Sequence, residues 1–248
     1  MKLVWVIFAG LVMAEALNFP GIVFFGLSAL LLVVHIMNSL GWKRGGLLVC
    51  LAMLIGWIAE VEGLRSGTIF GGRYVYRMAS GWSILSVPLP VILYWGIFIY
   101  SGFFVTKAVL RGRGGILKTA LVNAGVVTAI DLFMDPIAVA KGKWTWLDGG
   151  EYFGIPWGNF AGWFAVAFVT TVIYELLTQK WADKFLSDKE VYLPPIVGYF
   201  TLWFSFVITS LKLGMRELTV MGTVAMLPVI MTSLWGWRLV RTLGKNQK

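Results

Sequence analysis

Two aspartates four residues apart stand at the end of an apolar run in the middle of the chain. Asp131 and Asp135 occur in TAIDLFMDP, and a spacing of four places both side chains on one face of a helix. An ionisable side chain at the centre of a membrane helix costs about 2.5–3.5 kcal/mol on insertion scales. Two carboxyls this close also interact, so one of them is expected to hold a proton. The pair is the first candidate for acid chemistry.

The proline that follows Asp135 leaves its electrostatics open. Because Pro136 disfavours helical geometry at the residue before it, the helix is expected to end at Asp135. If Asp135 is the carboxyl end of that helix, the helix dipole and the low dielectric favour the neutral acid. If it caps a new helix that begins at Pro136, backbone amides stabilise the carboxylate. A purely structural alternative has one aspartate as a cap and the other paired with a basic residue.

Other polar residues stand at the ends of other apolar runs. Glu60 ends the third run, one turn after Gly56. Asn159 follows Pro156, which is expected to open a helix, so its amide can bond a carboxylate, a water molecule or the backbone. Glu15 lies inside the first run, where it either contributes to a site or reaches the interface. Glu60 and Asn159 therefore join the aspartates as candidate catalytic residues.

Aromatic residues are concentrated near the same ends of the runs. Their faces stabilise a positive charge at close range. Membrane interfaces are also rich in Trp and Tyr, so about two thirds of the 13 tryptophans are expected to be anchors. The candidates for substrate contact are Glu15, Tyr74, Trp144, Trp146, Trp157 and Trp163.

The elements that must position these residues are apolar throughout. The chain is 58% hydrophobic and 13% charged, whereas a soluble domain carries about 25% charged residues. Spans long enough to cross a bilayer are predicted at about 3–17, 20–40, 46–62, 84–107, 116–135, 156–178, 192–211 and 218–239. No small-x-small cleavage site follows the first run, which is taken as a span. The sequence predicts an all-α fold, a polytopic integral membrane bundle of about eight transmembrane helices in a single domain, 1–248.

The basic residues are unevenly divided between the two sides of this bundle. Fourteen of the 21 Lys and Arg residues fall on the side of the amino terminus, so both termini are expected in the cytoplasm. The net charge of +9 follows from these flanking residues and does not indicate nucleic acid. The acids and the Trp-rich segments fall on the other side. The site is expected in the outer half of the cell membrane, with membrane lipids around it.

The chain has one cysteine and one histidine. Cys50 alone excludes an internal disulfide and a thiolate metal cluster. His35 alone argues against bis-histidine haem and against multi-histidine iron sites, which need several imidazoles. No metal site and no cofactor are predicted.

Three segments together resemble a known family, the carotenoid biosynthesis membrane proteins that include bisanhydrobacterioruberin hydratases and carotenoid 1,2-hydratases. The segments are Glu60 with Gly63, Gly67, Tyr74 and Tyr76; DLFMDP with the Trp-rich loop after it; and YFGIPWGNFAGW. The resemblance covers roughly Gly56 to Trp163.

This resemblance implies a cofactor-free hydratase that adds water to the terminal C=C (1,2) bond of a linear or monocyclic carotenoid end group. It implies that Asp135 or Asp131 donates the proton. Glu60 then stabilises the cation or takes the proton from water, which Asn159 positions. The substrate would enter sideways from the bilayer. The sequence does not determine whether one or both ends of the carotenoid are hydrated, or whether the protein forms a homo-oligomer.

Other function classes share parts of this pattern. A carotenoid end-group cyclase begins with the same protonation, but its product keeps the mass of the substrate. A membrane prenyltransferase is suggested by DLFMD, but it binds diphosphate through Mg²⁺ and needs a second acidic motif. A small transporter is expected to show an internal repeat, and none is visible.

Overall fold

The computed structural model describes residues 1–17, 19–77, 82–181 and 189–245. The helices in this part are α1 Lys2–Ala16, α2 Gly21–Asn38, α3 Gly41–Ser66, α4 Leu89–Val109, α5 Ile116–Ala140, α6 Trp157–Thr178, α7 Leu193–Lys212 and α8 Arg216–Lys245. Seven are long and apolar enough to cross a membrane. The other, α1, has 15 residues, which is shorter than the roughly 17 that a span needs. The prediction of an all-α polytopic membrane bundle is confirmed.

Several predicted boundaries are wrong, and two of them lie near the aspartates. The fourth span was expected from residue 84, but β2 (Ser83–Ile84) and β3 (Val87–Pro88) pair there as an antiparallel hairpin before α4 begins. The fifth helix was expected to end at Asp135, yet α5 continues through Pro136 to Ala140. Asp135 is therefore inside a helix, and neither the helix-end nor the cap alternative holds.

A hydroxyl from outside the helix explains how α5 passes its proline. Pro136 has no N–H, so the carbonyl of Leu132 one turn earlier loses its helical donor. The hydroxyl of Tyr152 donates to that carbonyl at 3.0 Å. Burial raises the pKa of Tyr152 to about 12, so this hydroxyl keeps its proton at neutral pH. A contact with a distant residue thus overrides the local preference for a helix end.

Four helices form the centre of the molecule. Helices α3, α4, α5 and α6 pack in a ring, each against the next and α6 against α3, while α8 packs on α4 and α5. Burial follows this arrangement. In the most apolar 18-residue stretch of each helix, 72% of the residues are buried in α4, but only 22% in α2 and 28% in α8. The peripheral helices therefore keep wide apolar faces exposed, as helices in contact with lipid do.

A two-stranded ribbon covers one end of the ring. Strands β1 (Tyr74–Tyr76) and β4 (Trp144–Trp146) pair antiparallel, with Tyr74 opposite Trp146 and Tyr76 opposite Trp144. Side chains two residues apart on a strand point to the same face, so one face of the ribbon presents four aromatic side chains. We call this end of the ring the ribbon end and the other the opposite end.

Candidate active site

Glu60 lies on α3 directly beneath the ribbon. Its Oε2 atom accepts hydrogen bonds from the hydroxyls of Tyr74 and Tyr76, both at 2.6 Å. Its Oε1 atom accepts one from the indole N–H of Trp95 at 3.1 Å. The Glu60 side chain is buried, and all three donors are neutral. The carboxyl is held firmly in place without a cation.

The ribbon and a glycine bring these donors to Glu60. Period-two geometry sends both tyrosine hydroxyls to the same side of β1. Burial, and next the charge of Glu60, raise the pKa of Tyr74 and Tyr76, so both remain protonated donors. On α3, a side chain at Gly56 would collide with the ring of Trp95. Glycine at that position lets the indole reach the carboxyl.

Asp131 and Asp135 share one amide. Asn159 Nδ2 donates to Asp131 Oδ2 at 2.7 Å and to Asp135 Oδ2 at 3.0 Å. The indole N–H of Trp144 donates to Asp135 Oδ1. Because an amide nitrogen has two N–H groups and no acceptor, these contacts fix which way the Asn159 amide faces. The other oxygen of Asp131 is buried without a hydrogen-bond partner.

Asn159 is positioned by the start of α6. The helix begins at Trp157 with Pro156 as its N-cap, so Asn159 lies in its first turn as predicted. Gly158 lies against Gly71 in the loop after α3, and a Cβ atom added at Gly158 would be 2.5 Å from the Gly71 Cα atom. This backbone contact holds the start of α6 beside the end of α3, and it brings the amide to the acids.

The acids line a small cavity. Its volume is about 30 Å³, and its walls are Glu60, Phe70, Tyr74, Tyr76, Val91, Tyr94, Met134, Asp135, Trp144, Trp146, Asn159 and Trp163. A water molecule needs about 10–15 Å³ of such space. The cavity therefore has room for about two water molecules, and the end of an isoprenoid chain does not fit unless side chains move.

Aromatic rings pack against one another at the wall of this cavity and behind it. The rings of Trp95 and Trp163 are stacked with centroids 4.0 Å apart, and Phe70 stacks on Trp95 at 6.5 Å. Trp146 lies against Tyr74 at 4.8 Å. Aromatic faces attract cations, most strongly when water is excluded. A positive charge that develops beside these rings would be stabilised.

The structure brings most of the predicted site residues together. Those that line the cavity are Glu60, Tyr74, Asp135, Trp144, Trp146, Asn159 and Trp163. Asp131 lies behind them and reaches the cavity through Asn159. Two predicted residues lie elsewhere. Glu15 accepts a hydrogen bond from Ser205 of α7 at 2.5 Å, and Trp157 is 55% exposed.

Sequence reasoning gave no role to several residues of the site. Trp95 donates to Glu60 but looks in the sequence like any interfacial tryptophan. Tyr76 was named only within the resemblance, although the alternation Tyr-Val-Tyr before the hairpin is a strand signal. Tyr94 and Met134 complete the cavity wall and carry no sequence signal.

The charges of the site are not compensated by cations. The salt bridges Arg73–Asp148 and Lys107–Glu175 do not involve the cavity acids. The described part also contains no group of three or more His, Cys, Asp or Glu side chains arranged to hold a metal ion. Three carboxyls are thus buried together with neutral hydrogen-bond donors.

The fold and the site define a polytopic membrane protein with a buried acid cluster next to a water-sized cavity. A family model described as "Carotenoid biosynthesis protein" matches residues 20–230. The chain belongs to this family. Bisanhydrobacterioruberin hydratase of Haloarcula japonica is 26% identical over 164 residues, which are 65% of this chain and 55% of that relative. The match therefore spans little more than half the length of the relative. No solved structure matches this chain.

Proposed function

We propose that this protein is a carotenoid hydratase that adds water to the terminal C=C (1,2) bond of an uncyclised end group. One observation carries the proposal: an acid, a second carboxyl and an amide face a cavity with room for water, at membrane depth. The family match supports a carotenoid substrate, and the name of the Haloarcula relative supports hydration.

Asp135 is the proton donor in this proposal. Burying an unpaired charge is costly, and three neighbouring carboxyls without a cation cannot all be ionised. Glu60 accepts three hydrogen bonds, which favours its carboxylate. Of the two aspartates, Asp135 lines the cavity and Asp131 does not. Asp131 is then a positioning residue that holds Asn159.

The reaction begins with proton transfer from Asp135 to the less substituted carbon of the double bond. The π electrons form the new C–H bond, Asp135 becomes a carboxylate, and the neighbouring tertiary carbon becomes a cation. The Glu60 carboxylate and the faces of Trp146 and Trp163 stabilise this cation. Such an acid is effective because a low-dielectric site keeps it neutral until it donates.

Water captures the cation from the same cavity. Asn159 uses its N–H groups on the aspartates and leaves its oxygen free to accept a hydrogen bond from water. A lone pair of that water forms the C–O bond, and Glu60 takes the released proton. The proton returns from Glu60 to Asp135 through a second water molecule. The net change is one water added to one double bond, without a cofactor.

A carotenoid end-group cyclase is the second candidate. It needs the same acid and the same aromatic stabilisation, and it differs only in the nucleophile, a neighbouring double bond. The room for water in the cavity favours hydration. A magnesium-dependent prenyltransferase would instead lose activity with a chelator, whereas the hydratase would be indifferent to it.

We also propose that both termini are cytoplasmic and that the ribbon end faces the outer side of the cell membrane. The support is the uneven division of Lys and Arg, of which Lys184 and Lys248 lie outside the described residues. Reporter fusions at the loop between α5 and α6 and at the carboxyl terminus would give opposite sides. The same side for both would contradict this orientation.

Expression in a bacterial host that accumulates lycopene or γ-carotene tests the function. We expect a more polar pigment, heavier by one water, with the wild type and with Glu62→Gln, which changes an exposed carboxylate two residues from Glu60. Asp135→Asn and Glu60→Gln should give little or none. A product of unchanged mass would mean cyclisation. No new pigment from a folded protein with either substrate would contradict hydration of these end groups.

A further inference from the structure

Most of the side chains that line the cavity are buried, and a few are partly exposed. Of its 12 lining residues, four are partly exposed: Tyr76, Tyr94, Met134 and Trp144. The other eight are buried. We call these four residues the portal. These four are the side chains of the lining that reach the protein surface, so a chain end that enters the cavity would pass between them.

Helix geometry places the portal between α4 and α5, beneath the ribbon. Gly102 of α4 faces Val127 of α5, since a Cβ atom at Gly102 would lie 3.0 Å from a methyl group of Val127. Tyr94 is about two turns nearer the ribbon end on α4, and Met134 is two turns nearer on α5. The two side chains therefore lie across the α4–α5 seam from each other, while Tyr76 and Trp144 close it from the ribbon.

Two of the portal residues are hydrogen-bonded to an acid of the site and two are not. Tyr76 is bound to Glu60 and Trp144 to Asp135. Tyr94 makes no hydrogen bond among the described residues, and its ring stacks on Phe98. Met134 is unbranched and has three rotatable bonds, so it adapts readily to a neighbour. Displacing these two side chains enlarges the cavity without removing donors from either acid.

The surroundings of the portal match an apolar chain. Both α4 and α5 are apolar spanning helices, and the movable part of the portal is a thioether and an aromatic ring. A linear isoprenoid is as apolar as the lipid around it, so it can reach the portal within the membrane where α8, which also packs on α4 and α5, leaves these side chains partly exposed. A closed ring at the chain end is bulkier than an isopropylidene group and needs a wider opening.

We propose that the portal admits the end of a linear isoprenoid chain sideways from the membrane, and that Tyr94 and Met134 determine which end groups fit. The substrate class is then a long apolar chain with at least one uncyclised isopropylidene end. The chemistry of this inference rests on the proposed function, whereas the location of the portal rests on the cavity alone.

The single cysteine of the chain makes a direct test practical. Cys50 is exposed and its replacement, Cys50→Ser, gives a background without thiols. Met134→Cys and Tyr94→Cys place a thiol in the portal, and Leu121→Cys places one on α5 at a residue that is 45% exposed. Each protein is treated with methyl, butyl and benzyl methanethiosulfonate in membranes, and the adducts are verified by intact mass.

We expect lycopene to slow the labelling of the portal thiols by at least about threefold, because it occupies the same space. Hydration should fall as the adduct grows, by at least about tenfold with the benzyl group, because overpacked sites are costly to fill. The Leu121→Cys protein should show neither effect. A poorly folded variant is recognised by its elution profile in size-exclusion chromatography. Because two portal positions are tested, the result from the other position is then used.

Portal and function fail separately in this design. If the Cys50→Ser protein hydrates lycopene while adducts at both portal positions change nothing and lycopene protects neither, the portal is wrong and the function stands. If no protein hydrates lycopene, yet lycopene protects the portal thiols and not the Leu121→Cys thiol, the portal stands and the proposed function is wrong.

Discussion

The molecule buries carboxylates at both ends of its helix ring, and it treats them differently. At the opposite end, Glu175 of α6 accepts a hydrogen bond from Lys107 of α4 at 2.7 Å, with both side chains less than 20% exposed. The same ammonium lies 4.9 Å from the ring of Phe103. At the ribbon end, Glu60 and Asp135 receive only neutral donors.

Under the proposed function, this difference separates a structural acid from a reactive one. A lysine neutralises a buried carboxylate permanently, and removing one partner leaves an uncompensated charge. Neutral donors hold a carboxyl in place but leave its proton free to come and go. Only the ribbon-end acids also face the cavity. Residue type alone would not distinguish Glu175 from Glu60, whereas the depth of burial, the cavity and the identity of the partners do.

The strongest prediction removes the acid at the ribbon end. Asp135→Asn keeps the shape and the contacts of Trp144 but cannot donate its proton as a carboxylic acid. We expect hydration to fall by about 10²–10⁴-fold, the usual contribution of a general acid. Asp148→Asn, at an exposed aspartate just after β4, is the control. The product is measured per folded protein, and activity within threefold of the control would contradict the role.

The next prediction breaks the opposite end instead. Lys107→Met leaves Glu175 buried without its cation, and the free energy of unfolding should fall by about 3 kcal/mol, at the low end for a buried pair because the residues are not fully buried. Lys107→Met combined with Glu175→Leu should recover most of that loss. Thermal unfolding in detergent measures both. The rate of carotenoid hydration per folded molecule should stay unchanged. A loss of activity as large as that of Asp135→Asn would contradict the claim that only the ribbon-end acids take part in the reaction.

A smaller loss is expected from the second ribbon-end carboxyl. Glu60→Gln keeps an oxygen for the hydroxyls of Tyr74 and Tyr76, but it turns its amide N–H groups toward the indole N–H of Trp95 and removes the negative charge beside the cation. We expect about a 10²-fold loss of hydration, the size found when one stabilising group is removed from a charged transition state. Glu62→Gln on the same helix should lose nothing. If Glu60→Gln and Glu62→Gln were equally active, the charge of Glu60 would have no role in stabilising the cation.

The smallest effect on stability is expected at a solvent-exposed ion pair on the protein surface. Arg73 donates to Asp148 at 2.9 Å and lowers the pKa of that carboxyl, while both side chains are more than half exposed. A carboxyl with a lowered pKa stabilises the fold above its unfolded pKa and loses that contribution as the pH falls through the folded value. Because exposed pairs are screened, Asp148→Asn should leave the melting temperature at neutral pH unchanged within error. A clear decrease that disappears in acid would show that this pair matters more than its exposure suggests.

The sequence predicted the candidate carboxyls and the amide, which lie on helices. Asp131 and Asp135 were recognised from their spacing and from the cost of acids in an apolar run, and Asn159 from its place after Pro156. Helix periodicity is local, so these residues could be assigned to a face without knowing the fold. Glu60 followed from its depth at the end of a span.

What the sequence did not predict depends on contacts between distant segments. Helix α5 continues through Pro136 because Tyr152 donates a hydrogen bond to a carbonyl in the preceding turn. Trp95 reaches Glu60 because Gly56 has no side chain that would collide with its ring. Glu15 has the same chemistry as Glu60 and a similar depth, yet α1 lies away from the cavity. Residue type and depth identify candidates, but only the packing of the helices decides which of them meet.

Labelled water tests the central claim most directly. Membranes that contain the wild type, Asp135→Asn or the combined Lys107→Met and Glu175→Leu variant are supplied with lycopene in ¹⁸O-water and, separately, in deuterium oxide. We predict an alcohol that carries ¹⁸O in the first and one carbon-bound deuterium in the second, formed by the wild type and the combined variant but not by Asp135→Asn. Deuterium without ¹⁸O, or labelled alcohol from Asp135→Asn at the wild-type rate, would contradict acid-catalysed hydration at this cluster.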